Sequence, residues 1–329
     1  MVQARKWVYA HEFEDQPQTS NLQLVTETIP DTLQDGEVLC EAVFLSVDPY
    51  MRLFKVAVGD VMQCEQVARV TASKSDSFPV GTMVLARLGW RWPHTIVVSD
   101  TSILEQLPPL GELPASLALG TVGMPGMTAY FGVEEILKPV QGETVLVNAA
   151  AGAVGSVVGQ MAKIKGCKVI GYAGTKEKCD WLKSELGFDA VFNYKETKLE
   201  DSIKDAAPEG VDCYFDNVGG EFSSTVLFNM KQGGRIAVCG QIDQYRYDGK
   251  QQTGPLVYGQ MLVKQLTMKG FMCRHYFQHW PEAKIQVIDW IKQGKIKYRE
   301  TITEGFENMA EAFVGLFRGA NTGKAIVKV

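Results

Sequence analysis

The stretch Val145-Leu146-Val147-Asn148-Ala149-Ala150-Ala151-Gly152-Ala153-Val154-Gly155 decides the fold that this sequence predicts. Residues 144–148 are mostly β-branched or apolar and predict a buried strand, and the small residues after them allow only a tight turn. A helix should follow, because apolar residues recur at helical spacing until Gly166 ends the pattern. These apolar residues are Val154, Val157, Val158, Met161 and Ala162. Strand, glycine turn and helix together favour dinucleotide binding.

The three glycine positions of the dinucleotide-binding pattern G-x-G-x-x-G are occupied here by Ala150, Gly152 and Gly155. The departure at the first position is mild, because the middle glycine is the one that lets backbone N–H groups approach a pyrophosphate. That approach takes place at a helix N-terminus, whose partial positive charge favours the anion. The alternative interpretation is a Gly/Ala-rich packing turn of an ordinary α/β protein.

The composition indicates an ordinary globular protein of about two domains. The chain has 329 residues, of which 46% are hydrophobic and 22% charged, and its formal net charge is −5. A chain of this length exceeds the usual size of a single core. No long run of Lys or Arg supplies the basic face that nucleic acid requires, so we expect no nucleic-acid partner. We also expect no secretory signal, because no uninterrupted apolar region follows the basic residues Arg5 and Lys6. We expect no membrane span, because no apolar stretch approaches about 20 residues.

Cysteine and histidine usage predicts a reduced, cytoplasmic chain without a metal site. The seven cysteines are scattered singly with no C-x-x-C pair, and we expect most of them to be buried. Zinc-dependent alcohol dehydrogenases need a Cys/His ligand set and usually a four-cysteine lobe, and the sequence contains neither pattern. His275 and His279 have helical spacing but no third ligand nearby, so we interpret them as part of a solvated face.

Residues 1 to about 120 read as mostly β. Short segments rich in Val, Ile, Leu and Thr, at 38–47, 66–71, 83–87 and 95–99, are separated by Pro, Gly and Asp. This pattern favours an antiparallel barrel or sandwich, which would form one wall of a cleft. A short helix at 308–317 and a closing strand at 323–329 are predicted to return the chain to this region.

Between these two parts, strands alternate with helical patterns. A small, apolar stretch at 117–127 precedes a predicted helix at 130–137. Six strands are predicted, at 144–149, 168–173, 190–193, 211–216, 234–239 and 266–272. Their alternation with helices specifies an α/β fold with a doubly wound parallel sheet of the Rossmann type. The predicted cofactor domain is therefore 122–300, and 1–121 with 301–329 form the second domain.

The end of the second predicted strand favours NADPH over NADH. A domain that binds NAD carries Asp or Glu about 20 residues beyond the glycine turn, where it accepts from the ribose 2′-hydroxyl. Here that place holds Ala173-Gly174-Thr175, followed by Lys176 and Lys178, which would attract a 2′-phosphate. The alternative is that both lysines lie on a solvated first helical turn. The turns at 216–220 and 239–241 should line the cofactor cleft, because they follow two further strands.

Several motifs together resemble one enzyme family. They are Val47-Asp48-Pro49-Tyr50-Met51-Arg52, Leu119 to Gly132 and Asn148 to Gly155, joined by Phe192-Asn193-Tyr194-Lys195, Tyr214 to Glu221 and Glu304 to Met309. Through them essentially the whole chain resembles the zinc-independent medium-chain reductases that act on alkenals, enones and 15-oxoprostaglandins. The resemblance implies an NADP(H)-dependent oxidoreductase with a mostly antiparallel, GroES-like catalytic domain beside the Rossmann domain.

The same resemblance implies which residues contact the cofactor, with Lys178 at the 2′-phosphate. The full implied set is Gly152, Ala153, Val154, Gly155, Lys178, Tyr194, Asn217, Cys239, Gly240, Gln241, Ile242, Asp243, Gln244, Tyr245, Phe271, Met272, Cys273 and Asn321. Two members have simpler alternatives, because Tyr194 could cap a strand and Asn321 stands in a good turn sequence.

The reaction that the resemblance implies is reduction of a carbon–carbon double bond conjugated to a carbonyl, with oxidation of 12-hydroxy leukotrienes as a further activity. Hydride from NADPH would reach the β-carbon, and a hydroxyl would stabilise the enolate in place of a metal. The catalytic candidates are Tyr245 and Tyr258, with the ribose hydroxyl of the cofactor as a competitor, and either tyrosine could instead be a packing residue. Val263 stands where related enzymes often have a tyrosine.

Tyr50 and Arg52 are candidate substrate residues, because their motif is expected nearest the cleft. Arg52 could meet the carboxylate of an eicosanoid, or it could be a structural ion-pair partner. Two other functions stay open at this point, a quinone reductase of the same superfamily and a non-catalytic protein that binds NADPH. A small-molecule substrate and a homodimer that continues the sheet at an edge are the expected partners.

Overall fold

The structure is a computed structural model that describes residues 1–13, 16–53, 56–97, 103–245 and 254–329. Its described residues form two compact units. Unit 1 comprises Met1–Gly120 and Glu300–Val329, and unit 2 comprises residues 121–245 and 254–299.

Unit 1 begins with short strands, as its Val- and Thr-rich segments predict. They are β1 (Val2–Tyr9), β2 (Leu22–Ile29), β3 (Glu37–Val47), β4 (Gln66–Ser73), β5 (Met83–Ala86), β6 (Arg91–Trp92), β7 (His94–Val97) and β8 (Leu104–Gln106). Short 3-10 helices cover Thr19–Asn21, Pro49–Arg52 and Ala115–Leu119. The strands predicted at 38–47, 66–71 and 83–87 are confirmed to within two residues. Of the strand predicted at 95–99, residues 98 and 99 lie outside the described residues.

Unit 2 alternates helices and strands. In chain order it contains α1 (Met124–Phe131), β9 (Thr144–Val147), α2 (Gly155–Ile164), β10 (Lys168–Ala173), α3 (Lys176–Ser184), β11 (Ala190–Asn193), α4 (Leu199–Ala206), β12 (Val211–Asp216), α5 (Gly220–Phe228), β13 (Met230–Val238), α6 (Tyr258–Val263), β14 (Thr267–Gly270) and α7 (Trp280–Lys292). Short 3-10 helices at Ile242–Gln244 and Cys273–His279 follow β13 and β14.

The six strands of unit 2 form one parallel sheet in the order β11-β10-β9-β12-β13-β14. This is the order of the doubly wound Rossmann sheet, so the predicted fold class is confirmed. Strands β10 and β11 lie on one side of β9, and β12, β13 and β14 lie on its other side. The strand order therefore reverses between β9 and β12. Ligands of such sheets bind outside the carboxyl ends of the strands at this reversal. The glycine turn after β9 lies there.

Two elements of unit 2 begin several residues before their predicted starts, whereas β14 (Thr267–Gly270) lies within its predicted range of 266–272. Strand β13 begins at Met230 instead of 234, and its pairing with β12 shifts register between Val211 and Cys213. Gly233 has φ +74° within this strand, so the bulge hides the alternation that marks a strand in the sequence. The helix predicted at 130–137 begins earlier, at Met124, with Pro125 in its first turn, and continues as a π-helix over Gly132–Leu137.

The chain then returns to unit 1 through β15 (Glu300–Glu304), α8 (Met309–Phe317) and β16 (Lys324–Lys328). Strand β16 pairs antiparallel with β3, which confirms the predicted return of the closing strand. It completes a sheet in the order β15-β16-β3-β4-β5-β8, with β7 also paired to β3. Only β15 and β16 are parallel among these described pairs, so the sheet is mostly antiparallel, as predicted. Strands β2, β1 and β6 form a separate sheet.

Each unit has its own buried core. In unit 1 the core gathers large side chains from several elements, among them Leu45, Met62, Trp90, Phe306 and Phe313. In unit 2 it lies between the sheet and its helices and includes Leu146, Ile170, Tyr172, Tyr214 and Val226. Among the helices described, none is long and apolar enough to cross a membrane.

Candidate active site

The turn between β9 and α2 contains four of the predicted cofactor residues, Gly152, Ala153, Val154 and Gly155. Ala149 opens the turn with φ +44°, in the left-handed region, and its carbonyl accepts from the Gly152 N–H at 2.9 Å. A Cβ on Gly155 would come 2.6 Å from the Ala149 oxygen, so only glycine fits there. Since α2 begins at Gly155, its positive N-terminal end faces this turn. The local backbone therefore suits a pyrophosphate.

The turn after β10 carries cationic side chains and no carboxylate at Ala173-Gly174-Thr175. Thr175 caps α3 and accepts from the Lys178 N–H at 3.3 Å. The Lys178 side chain is half-buried, and this burial, together with the nearby Lys195 charge, lowers its pKa. Lys176 instead forms an exposed ion pair with Asp180 at 2.5 Å. The sequence predicts Lys176 and Lys178 as candidates for binding a 2′-phosphate, and of these two Lys178 is the one that lies near a second cation, Lys195.

Lys195 is a residue that sequence reasoning did not select. It follows β11, and its Cε would lie 3.4 Å from a Cβ on Gly174, while the Tyr194 hydroxyl would lie 3.1 Å from the same point. Both residues therefore stand against the turn after β10. The signal that could have found Lys195 is its place beside Tyr194, at the end of the strand next to β10. A phosphate bound by Lys178 would lie within the field of both ammonium groups.

Asn217 follows β12 and is hydrogen-bonded to Asn148, the residue after β9. Its N–H donates to Oδ1 of Asn148 at 2.7 Å, and its Nδ2 donates to the Asn148 carbonyl at 3.0 Å. Asn148 is itself 1% exposed and directly precedes the glycine turn. Sequence reasoning did not select Asn148 as a site residue, although it belongs to the quoted motif.

The predicted residues 239–245 follow β13 and form a turn attached to the one after β12. The N–H groups of Cys239 and Gly240 donate to the Asp216 carbonyl at 2.8 and 3.1 Å, and Ile242 N–H donates to the Asn217 carbonyl at 3.3 Å. Tyr245 is 7% exposed, and its hydroxyl lies 3.1 Å from where a Cβ on Gly240 would stand. Burial raises the pKa of the Cys239 thiol above its usual value.

Phe271, Met272 and Cys273 follow β14 at the same edge of the sheet. Phe271 N–H donates to the Val238 carbonyl at 3.4 Å, and its ring meets Phe215 edge to face at 6.1 Å. Cys273 lies close enough to Cys239 to affect the pKa of that thiol. The carboxyl ends of the strands thus bring together the predicted residues of unit 2, with Tyr258 as the exception.

Tyr258 and Asn321 lie on other elements. Tyr258 opens α6 and is 79% exposed. Asn321 belongs to unit 1, where its Nδ2 donates to the Gly323 carbonyl at 2.8 Å in the turn before β16. This contact is the local turn role that the sequence offered as the alternative for Asn321.

Tyr50 and Arg52 lie on the Pro49–Arg52 helix of unit 1. The start of this helix is fixed by Lys324, whose Nζ donates to Asp48 Oδ1 at 2.9 Å and to the Val47 carbonyl at 2.7 Å. Burial and the Asp48 carboxylate raise the pKa of Tyr50 well above its usual value. The buried Arg52 guanidinium lies over the Phe317 ring, 5.5 Å from its centroid. The Tyr50 hydroxyl is therefore protonated at neutral pH.

Among the residues that the structure describes, no group of three or more His, Cys, Asp or Glu side chains is placed to hold a metal ion. Hydroxyl, amide and backbone N–H groups at the strand ends could polarise a carbonyl, and one of them is the Tyr245 hydroxyl.

The chain is similar over its whole length to known dehydrogenases and reductases. Residues 153–292 match the family described as zinc-binding dehydrogenase, and residues 5–107 match the N-terminal domain of oxidoreductase. Prostaglandin reductase 1 of Rattus norvegicus is 54% identical over 334 residues, with 100% of both chains covered. The NADP(+)-dependent 2-alkenal reductase of Nicotiana tabacum is 40% identical, covering 95% of this chain and 94% of its own. Crystalline CurA from Vibrio vulnificus, in complex with NADPH, has TM-score 0.92 and 38% identity, with 99% of each chain covered.

Proposed function

The chain belongs to the medium-chain dehydrogenase/reductase superfamily, beside prostaglandin reductase 1, and we propose that it reduces the carbon–carbon double bond of α,β-unsaturated aldehydes and ketones with NADPH. The family predicted from the sequence motifs is thereby confirmed. The substrates that we propose are 2-alkenals and 15-oxoprostaglandins, in keeping with the names of the relatives. NADPH is the proposed cofactor, in keeping with the complex of CurA.

The observation that carries this proposal is the pairing of two features at one edge of the parallel sheet. The Gly155 turn leaves no room for a side chain, and it stands at the N-terminus of α2, where a pyrophosphate is stabilised. Beyond the end of the neighbouring strand β10, Lys178 on α3 and Lys195 after β11 attract a 2′-phosphate, and no carboxylate opposes it at 173–175. We assign the cofactor to 122–300, and the GroES-like catalytic role to 1–121 and 301–329.

The chain's own residues must then orient the substrate and stabilise charge on its carbonyl oxygen. NADPH, when bound, supplies a hydride for the β-carbon of the substrate. Charge develops on the conjugated oxygen, and a hydroxyl placed there lowers the barrier. Tyr245 is the better placed candidate, because it is buried and lies in the turn after β13, whereas Tyr258 is exposed on α6. Tyr50 and Arg52 are the proposed substrate residues of unit 1, and Asn321 is a proposed cofactor contact.

The experiment that tests this function is NADPH oxidation at neutral pH with a medium-chain 2-alkenal and with a 15-oxoprostaglandin. A simple quinone serves as the comparison substrate. Consumption of the enal and the enone, with a much lower kcat/KM for the quinone, supports the proposal. Binding of NADPH without turnover of any conjugated carbonyl contradicts it and favours a non-catalytic binder.

Tyr245→Phe is expected to lower kcat for 2-alkenal reduction about tenfold with little change in the KM for NADPH. The loss is expected to be smaller than for a sole donor, because a ribose hydroxyl of the bound cofactor is the competing candidate donor. Tyr258→Phe is the matched control and should leave kcat unchanged if Tyr245 is the donor. Stopped-flow measurement of NADPH oxidation checks both variants, and a loss confined to Tyr258→Phe would transfer the role to that residue.

A homodimer is proposed from the exposed edge of the unit 2 sheet. Strand β14 ends the strand order, and all four of its residues are exposed. Residues 256–263, which include α6, present large apolar side chains to solvent, with Leu256 82%, Leu262 79% and Val263 75% exposed. An edge strand pairs readily with a second copy of itself about a two-fold axis, and the apolar helix would be covered in the same interface. The partner that we propose for this surface is therefore a second copy of the chain.

Leu262→Lys is expected to shift the protein from dimer to monomer at micromolar concentration, because it places a charge in the proposed apolar interface. Sedimentation velocity measures the molecular mass. Ile285→Lys is the control, since Ile285 is 54% exposed on α7 and lies outside the proposed interface. A wild-type chain that sediments at 36.3 kDa at all concentrations would contradict the dimer.

We propose that the protein is cytoplasmic. All seven cysteines lie among the described residues, and none of them is joined in a disulfide. Mostly buried thiols that form no disulfide are typical of a reducing compartment. Fractionation of cells with an antibody to the chain tests the location, and recovery in a membrane or secreted fraction would contradict it.

A further inference from the structure

Asp216 is a buried carboxylate at the end of β12 with an unusually full set of hydrogen bonds. Its side chain is 4% exposed and accepts five hydrogen bonds at 2.6–3.0 Å. The donors to Oδ1 are Asn148 Nδ2, the Tyr214 hydroxyl, Val218 N–H and Gly219 N–H, and the donor to Oδ2 is the Ser223 hydroxyl. An ionised carboxylate only accepts, and burying it is tolerated when donors surround it in this way.

These bonds join segments that are far apart in the sequence. Asn148 directly precedes the glycine turn after β9, whereas Val218 and Gly219 belong to the turn after β12. The backbone carbonyl of Asp216 also accepts from Cys239 and Gly240, in the turn after β13. A single residue therefore contacts three of the turns in which the candidate cofactor residues lie. Asn148 extends the network, because its Oδ1 accepts from Asn217 N–H at 2.7 Å.

We propose that Asp216 is the positioning residue of the cofactor site, whose carboxylate holds the turns after β9 and β12 in the arrangement that binds NADPH before the cofactor arrives. This inference rests on the proposed NADPH-dependent function. Without the carboxylate, the N–H groups of Val218 and Gly219 lose their acceptor, and Asn148 loses one of the contacts that orient its amide. The turns would then have to be ordered on binding, which weakens affinity.

Two substitutions separate the geometry of Asp216 from its charge. Asp216→Ala removes every acceptor of the side chain. Asp216→Asn keeps an oxygen for the four donors at Oδ1, and its amide N–H can donate to the Ser223 hydroxyl, which also acts as an acceptor. The conservative variant should therefore retain most of the cofactor affinity that the alanine variant loses.

The experiment measures the dissociation constant of NADPH by the fluorescence of the bound dinucleotide, in the full-length chain without substrate. We expect Asp216→Ala to raise this constant about thirtyfold, as leaving buried donors unsatisfied does, and Asp216→Asn to raise it less than about threefold. Tyr172→Phe is the matched control, because it deletes another buried hydrogen bond of the same sheet, to Ser202 at 2.8 Å, without touching the turns. It should bind NADPH as the wild type does.

Hydrogen exchange of the cofactor-free protein gives a second measurement. Amides in the turn at 217–219 should exchange faster in Asp216→Ala than in the wild type, and at the wild-type rate in Tyr172→Phe. If Asp216→Ala does not fold, Asn148→Ala replaces it, because it removes the acceptor of Asn217 N–H. An unchanged dissociation constant of NADPH in whichever of these two alanine variants folds overturns the inference. Equal losses of NADPH affinity in that variant and in Tyr172→Phe overturn it as well. A wild type that does not bind NADPH overturns the proposed function instead.

Discussion

Gly155→Ala is expected to weaken NADPH binding about a hundredfold. Forcing the backbone to move costs up to about 3 kcal/mol, and about 1.4 kcal/mol of binding free energy corresponds to a tenfold change in the dissociation constant. The added Cβ would stand 2.6 Å from the Ala149 oxygen and 2.8 Å from the Ala150 Cα. Both are backbone atoms, so the turn itself must move away from the N-terminus of α2. The same movement displaces the N–H groups that would bind the pyrophosphate. Isothermal titration calorimetry with NADPH measures the loss.

The matched control for this change is Gly259→Ala on α6. A Cβ there meets no atom within 4 Å, and alanine is the better helix former, so neither NADPH affinity nor stability should fall. Gly155→Ala should also lower the melting temperature, whereas its far-UV circular dichroism should stay that of the wild type. Wild-type affinity for NADPH in Gly155→Ala would contradict the placement of the pyrophosphate at this turn.

The strands of unit 2 could be predicted from sequence because a parallel sheet covered on both faces is built from continuous apolar runs. Strands β10, β11 and β12 were predicted at their observed bounds. Strand β13 could not be predicted to its first residue, because Gly233 and a register shift break its pattern. The early start of α1 was missed for a related reason, since small residues such as Gly126 show no amphipathic face.

The candidate site was predictable where a local spacing carries the chemistry. Gly155 and Lys178 are found by counting from β9, because a turn and the end of the next strand lie at nearly fixed distances along the chain. Asp216 was predicted only as part of the turn at 216–220, and Asn148 and Lys195 were not selected as site residues, because the contacts of all three depend on which strands are neighbours. Asn148 and Asp216 are 68 residues apart and meet only because β9 and β12 pair.

Lys178→Ala is expected to raise the dissociation constant of NADPH about fiftyfold, since a hydrogen bond to a charged group is worth about 1.5–3 kcal/mol. The constant for NADH should be unchanged, because NADH has no 2′-phosphate. The variant would therefore lose most of the preference for NADPH. Fluorescence titration with NADPH and with NADH measures the two dissociation constants and hence the preference. Lys176→Ala is the matched control, because Lys176 is exposed and paired with Asp180, so its removal should leave the preference in place.

The pH dependence of the preference for NADPH over NADH distinguishes the effect of the Lys178 charge from the effect of the size of its side chain. Burial first, and then the Lys195 charge, lowers the pKa of Lys178, so its proton is lost at a lower pH than that of an exposed lysine. Attraction for the 2′-phosphate requires the protonated form, and NADPH affinity in the wild type should consequently fall as the pH rises into the alkaline range. This fall should be smaller in Lys178→Ala, where Lys195 alone supplies the cation. An NADPH preference that survives Lys178→Ala at every pH would place the 2′-phosphate at another part of the sheet edge.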